Sequence, residues 1–121
     1  MAIKKILVVD DSPTERHLLS DILTKGGYEV IVAENADEAL AKAKQVKPDL
    51  VLMDVVMPGQ NGFQATRALN KEEETKNIPV IIVTSKTQET DKIWGMRQGA
   101  KDYIVKPVDP VKLLAKIKAL G

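Results

Sequence analysis

Three aspartates, one threonine and one lysine stand directly behind short apolar runs in this chain. Asp10 and Asp11 follow Ile6-Leu7-Val8-Val9, and Asp54 follows Leu50-Val51-Leu52-Met53. Thr84 follows Val80-Ile81-Ile82-Val83, and Lys106, with Pro107 behind it, follows Tyr103-Ile104-Val105. A pocket that gathered them would hold oxygen ligands, a carboxylate nucleophile, a hydroxyl donor and an ammonium. Adjacent carboxylates are costly to ionise together in a crevice. A divalent cation removes that cost, and Mg²⁺ takes oxygen ligands from a few carboxylates while keeping several waters. Asp10, Asp11 and Asp54 are therefore candidate Mg²⁺ ligands. Asp54 is also the candidate nucleophile, because a carboxylate can attack phosphorus and become an acyl phosphate. Lys106 would neutralise charge on the phosphoryl oxygens and Thr84 would donate its hydroxyl to them. A cis bond before Pro107 would turn the chain sharply and aim Lys106 into the crevice. Each residue taken singly has an ordinary reading: a helix cap, a surface lysine, a strand threonine. Their common place at the ends of apolar runs outweighs those readings.

The elements that would bring them together are legible from the same runs. In an open parallel α/β sheet the strand C-terminal ends share one edge, and the ligand crevice lies there. Strand-length apolar runs alternate here with amphipathic helical patterns, which argues a doubly wound sheet with helices on both faces. Strands are predicted over 5–9, 28–33, 50–53, 80–83 and 102–105. The run at 50–53 is apolar throughout, as a central strand buried on both faces requires. Ser12 and Pro13 open the first helix, Leu18, Leu19, Ile22 and Leu23 form its inner face, and Gly26-Gly27 stop it. Asn35 caps the second helix with Glu38 as the reaching acid, Ala36, Ala39, Leu40 and Ala43 make its stripe, and Pro48 ends it. A loop over 55–62, shaped by Gly59 and Gly62, precedes a short helix over 63–69. The stretch 72–77 is polar and reads as a solvated loop. A fourth helix spans 89–98, closed by Gly99, with Lys92, Gly95, Met96 and Gly99 inward and Trp94 outward. Asp109-Pro110 start the last helix, with Val111, Leu114 and Ile117 inward.

Bulk composition narrows the function classes. The chain has 121 residues, 44% hydrophobic and 29% charged, with a net charge of +1. That length suits one domain over 1–121 with roughly two-thirds of its unfolded surface buried. The balanced charge supplies no footprint for nucleic acid, and four aromatic residues leave little for base stacking. Without cysteine there is no disulfide, thiolate metal site or thiol nucleophile. The N-terminus lacks the apolar core of a signal peptide, and no run is long enough to insert in a membrane. The expected location is cytoplasmic.

With these motifs in view, the chain resembles a response-regulator receiver domain over essentially its whole length. The matching segments are Ile6 to Ser12, Asp49 to Gly62, Pro79 to Thr84 and Gly99 to Pro107. The resemblance implies a flavodoxin-like (βα)5 sheet in the order 2-1-3-4-5. It implies that Asp54 accepts phosphate from a histidine kinase, and that Asp10, Asp11, Asp54 and the Val56 backbone carbonyl hold Mg²⁺. Thr84 and Lys106 would contact the phosphoryl group. Thr84 would then move toward it, with Tyr103 turning inward behind, reshaping the surface of the helix from Glu89, the strand from Asp102 and the helix from Asp109. Val56 and Lys86 occupy the two positions that influence acyl-phosphate lifetime in that family. The stretches Asp11 to Glu15, Met57 to Arg67, and Gln88 to Gly95 with Arg97 to Ala100 further resemble stand-alone regulators of type IV pilus twitching motility.

The expected function is a phospho-accepting switch in two-component phosphorelay signalling, fed by a histidine kinase of chemotaxis type. It would catalyse its own phosphorylation and dephosphorylation and turn over no metabolite. With no output domain expected, it would dock to another protein through a surface including Trp94 and Tyr103, or drain phosphate from a shared kinase. A flavodoxin-like electron carrier is the alternative on the same fold. Asp10-Asp11-Ser12-Pro13 argues against it, since this loop would repel a flavin phosphate without a metal. A metal-dependent phosphatase with an aspartyl nucleophile would need a substrate-enclosing cap that is not evident. His17, the only histidine, reads as solvent-facing.

Overall fold

The computed structural model describes residues 3–56, 61–85 and 89–120. Strands and helices alternate as β1 (Lys5–Val9), α1 (Pro13–Lys25), β2 (Glu29–Ala33), α2 (Ala36–Val46) and β3 (Leu50–Met53). They continue as α3 (Gly62–Lys71), β4 (Val80–Thr84), α4 (Glu89–Arg97), β5 (Asp102–Val105) and α5 (Pro110–Leu120). The strands form one parallel sheet in the order β2-β1-β3-β4-β5, as expected.

Strand alternation divides the core into two layers. Leu7, Val9, Val51, Met53 and Ile82 face the alanine stripe of α2 and Phe63, Ala65 and Leu69 of α3. Ile6, Val8, Leu50, Leu52, Ile81 and Val83 face Leu19, Ile22 and Leu23 of α1 and Leu113 and Ile117 of α5. All four residues of β3 are fully buried, so both faces of the central strand are covered. No helix among the described residues is long and apolar enough to cross a membrane.

Register carries the strand ends to a common level. Val9 pairs with both Ala33 and Met53. The next residues keep the ladder: the Asp10 N–H donates to the Ala33 carbonyl at 3.1 Å and the Asp54 N–H to the Val9 carbonyl at 2.9 Å. The sheet order reverses at β1, with β2 on one side and β3 on the other, and a reversal of this kind opens a crevice beyond the strand ends.

Several local expectations change. Leu18 is exposed; it lies at the margin of the α1 stripe, beside a groove shared with Val108 and Leu114. In α5 the buried pair is Leu113 and Ile117, one turn apart, whereas Val111 is 76% exposed. The Asp109 carboxylate accepts from the Val111 N–H at 2.9 Å, which sets the helix start. Val111 then lies two residues, about 200°, round the helix from Leu113. In α4 only Gly95 is buried, and Lys92 and Met96 are exposed. Asn35 caps α2, but Glu38 turns to Lys42 at 2.9 Å. The full capping box belongs to α3, where Asn61 and Gln64 bond reciprocally, and that helix begins one residue earlier than expected. The 72–77 connection is not wholly solvated: Thr75 is buried and its hydroxyl donates to the Leu69 carbonyl at 2.7 Å.

Candidate functional site

Asp10 and Asp54 occupy neighbouring positions at the exits of β1 and β3, both buried, and Asp11 is exposed beside them. One carboxylate oxygen from each of the three lies within 4.8 Å of the other two. The donor set consists of hard oxygens converging on one point, which fits Mg²⁺ and excludes a soft thiolate site. Val56, two residues past Asp54, is exposed at the rim. The other loop residues 57–60, Gly59 among them, and Lys86 lie outside the described residues.

Lys106 reaches this cluster from the end of β5, and its bond to Pro107 is cis. Its Nζ lies 2.8 Å from Asp10 Oδ2, 3.8 Å from Glu15 Oε2 and 3.9 Å from Asp54 Oδ1. Burial works against the ammonium, but the Asp10 hydrogen bond and the charges of Asp54, Asp10 and Glu15 outweigh it and raise the Lys106 pKa. Asp54 moves the other way for an acid. Burial and the Asp10 charge push its carboxyl up to about 6, against the opposing pull of Lys106 and the Val55 N–H. That N–H donates to Asp54 Oδ1 at 2.9 Å. The three acids therefore stand with one partly buried ammonium among them, and a second positive charge would relieve Asp54.

Thr84 ends β4, fully buried on the same edge, and its carbonyl accepts from the Lys106 N–H at 2.8 Å. Tyr103 is only 8% exposed. It lies in the layer with Phe63 and Ile82, and a Cβ added to Gly95 would sit 3.4 Å from its ring. The Tyr103 side chain therefore packs inside in this structure. Burial and the nearby Asp91 charge raise its pKa. Trp94, by contrast, is 51% exposed on α4, and His17 is exposed as expected.

Two supporting residues, Arg16 and Glu15, escaped the sequence reading. Arg16 Nη1 donates to the Asp10 carbonyl at 2.7 Å while Nη2 meets Glu34 at 3.3 Å. It therefore braces the strand exit from α1. Glu15 faces Lys106. Gly62 lets α3 begin against the end of β3: a Cβ there would lie 2.0 Å from the Asp54 carbonyl oxygen. The available signal was position, since Glu15 and Arg16 fall in the first turns of a helix whose N-terminus opens on the acidic edge.

The family model for the response regulator receiver domain matches residues 6–118. Protein PilH of Pseudomonas aeruginosa is 61% identical over 116 residues, 96% of each chain. The phosphate regulon transcriptional regulatory protein PhoB of the same organism is 43% identical over 97% of this chain. This chain spans 51% of that relative's length. Among solved structures, chemotaxis protein CheY4 of Vibrio cholerae superposes with a TM-score of 0.92 at 36% identity, covering 99% of this chain and 100% of that one. The BeF3-activated N-terminal receiver domain of Klebsiella pneumoniae RstA gives 0.88 at 33% identity, covering 96% and 97%.

Proposed function

This chain belongs to the response regulator receiver domain family, and on that premise we propose that Asp54 is its phosphoacceptor, charged by a histidine kinase. The observation that carries the reading is the convergence of Asp10, Asp11 and Asp54 on one point with Lys106 between two of them. In the transfer, an Asp54 carboxylate oxygen forms a bond to phosphorus. The P–N bond to the donor imidazole breaks, its electron pair stays on nitrogen, and that nitrogen takes up a proton. Mg²⁺, held by Asp10, Asp11, Asp54 and the Val56 carbonyl, would neutralise charge on the phosphoryl oxygens.

The remaining work falls to the chain's own groups. Burial of Asp54 beside Asp10 keeps the nucleophile out of bulk water and next to the cation site. Lys106 stands 3.9 Å from Asp54, near enough for its ammonium to meet an oxygen of a group built on that carboxylate. Thr84, on the same edge, would donate its hydroxyl to another oxygen. Tyr103 would act behind Thr84 as the packing group that transmits the change toward α4, β5 and α5. The chain turns over no metabolite; it catalyses only its own phosphorylation and hydrolysis. Likeness to PilH supports a finer reading, control of type IV pilus twitching motility or a chemotaxis-like behaviour under a chemotaxis-type kinase. Docking of an output protein on the α4, β5 and α5 face, with Trp94 as anchor, belongs to this reading as well.

Intact-mass measurement after incubation with a small phosphodonor tests the core proposal. Wild type with Mg²⁺ gains one phosphoryl group and Asp54→Asn gains none. Equal adducts on both proteins, or none on wild type, would sink it.

A further inference from the structure

Residues Ser12-Pro13-Thr14-Glu15 have the Ser-x-x-Glu spacing of a capping box at the start of α1. One half of the box forms, with Ser12 Oγ accepting from the Glu15 N–H at 3.3 Å. The other half would have the Glu15 carboxylate accept from the Ser12 N–H. That N–H is already donated to Asp10 Oδ1 at 3.0 Å. At α3 the Asn61–Gln64 box closes fully. Released from the cap, the Glu15 carboxylate stands 3.8 Å from Lys106 Nζ, with its side chain 35% exposed.

Lys106 therefore has three acids within 3.9 Å of its ammonium, and they make different demands on it. Asp10 and Glu15 hold the ammonium in the present arrangement, at 2.8 and 3.8 Å. A phosphoryl group on Asp54 would draw it toward new oxygens. Glu15 opposes that step in two ways that share one sign. It offers the ammonium a competing partner, and it places a negative charge beside the route of an incoming anion. We propose that Glu15 is a positioning residue for Lys106 that favours the unphosphorylated arrangement and lowers the pocket's affinity for a phosphoryl group. The inference rests on Asp54 as phosphoacceptor.

Beryllofluoride, a phosphoryl mimic, titrated into the full chain with saturating Mg²⁺ and followed by amide NMR shifts, tests it. Glu15→Gln should bind roughly two- to fivefold tighter than wild type, the scale of a half-exposed ion pair. Glu15→Asp, which keeps the charge but loses a methylene of reach, should shift the same way by less. Asp21→Asn removes an acid that pairs with Lys25 on the same helix, and should match wild type. Unchanged or weaker binding by Glu15→Gln overturns the inference. So does a result in which Asp21→Asn equals Glu15→Gln, because the effect is then net charge and not the contact with Lys106. If wild type binds no better than Asp54→Asn, the site reading itself fails, and this inference with it.

Discussion

Asp49 and Asp54 bracket the same four-residue strand, and their surroundings make them opposites. At the start of β3, Asp49 Oδ2 accepts from the Lys4 and Lys5 N–H groups at 2.9 and 3.0 Å. Its own N–H donates to the Lys5 carbonyl at 2.8 Å. The backbone hydrogen bonds from Lys4 and Lys5 hold its carboxyl below the usual range. At the far end, Asp54 accepts one N–H among the described residues, lies buried beside Asp10, and is pushed up to about 6. One end of the sheet has backbone donors that complete the acid. The other end leaves its acid short of positive charge, and it is at that end that a cation and a phosphoryl group can contribute what the protein does not.

The largest expected effect lies in function at the exit end. Asp54→Asn should abolish Mg²⁺-dependent phosphorylation, by more than about 100-fold in initial rate, whereas Asp49→Asn should leave it within about twofold. A stopped reaction followed by intact mass separates them, and comparable losses in both would mean that the two strand ends do not differ in function. Next comes the backbone that supports the exit. Gly62→Ala places a methyl 2.0 Å from the Asp54 carbonyl oxygen and 2.8 Å from Val55 Cα, both backbone atoms that cannot rotate away. Urea unfolding should show a loss of at least about 3 kcal/mol, the upper range for overpacking. A loss under about 1 kcal/mol would mean that α3 withdraws from the strand end without penalty.

A third expectation concerns the cost of the functional acid itself. Raised from 3.8 to about 6, Asp54 holds its proton more tightly in the folded state than in the unfolded chain. Its contribution to stability is complete below 3.8 and is lost as the pH rises through about 6. In metal-free protein, Asp54→Asn should therefore be more stable than wild type by on the order of 2 kcal/mol at about pH 7. The gap should close by about pH 4, and saturating Mg²⁺ should narrow it at neutral pH. Chemical unfolding in chelator at both pH values measures it. An Asn variant less stable at neutral pH would show that Asp54 is as well supported as Asp49.

How much of this could be read before the structure follows the same division. The exit residues were legible because each apolar run stops abruptly at a charged or hydroxyl group, and central strands buried on both faces carry no competing pattern. Asp49 was not, because an acid before a strand has no visible partner until β1 is laid beside it, 44 residues away in sequence. Glu15 and Arg16 were not legible for the same reason: Lys106 and the Asp10 carbonyl become their partners only in the folded sheet. In α5, Val111, Leu113 and Leu114 satisfy two helical stripes equally, and the Asp109 cap decides between them. Tyr103 depends on Gly95, whose missing side chain opens the space beside the ring. Pattern locates the polar stations. Partners that arrive from distant strands determine what each one does.

The smallest expected effect belongs to the quiet end, and it tests the comparison from the other side. Asp49 keeps its charge to lower pH in the folded state than in the unfolded chain, because two backbone N–H groups favour the ionised form. For a depressed acid the stabilisation is present above the unfolded value of 3.8 and is lost as the pH falls through the lower folded value. The carboxylate is exposed, so solvent screening reduces its contribution well below that of a buried charge-assisted bond. Asp49→Asn should lower unfolding free energy by about 0.5–1 kcal/mol at about pH 7, with the difference shrinking on acidification below 3.8. The two aspartate-to-asparagine variants of one strand thus shift stability in opposite directions at neutral pH, and over opposite sides of the same unfolded-state pKa. Parallel pH profiles for the two would show that the strand's ends differ in location and not in electrostatics.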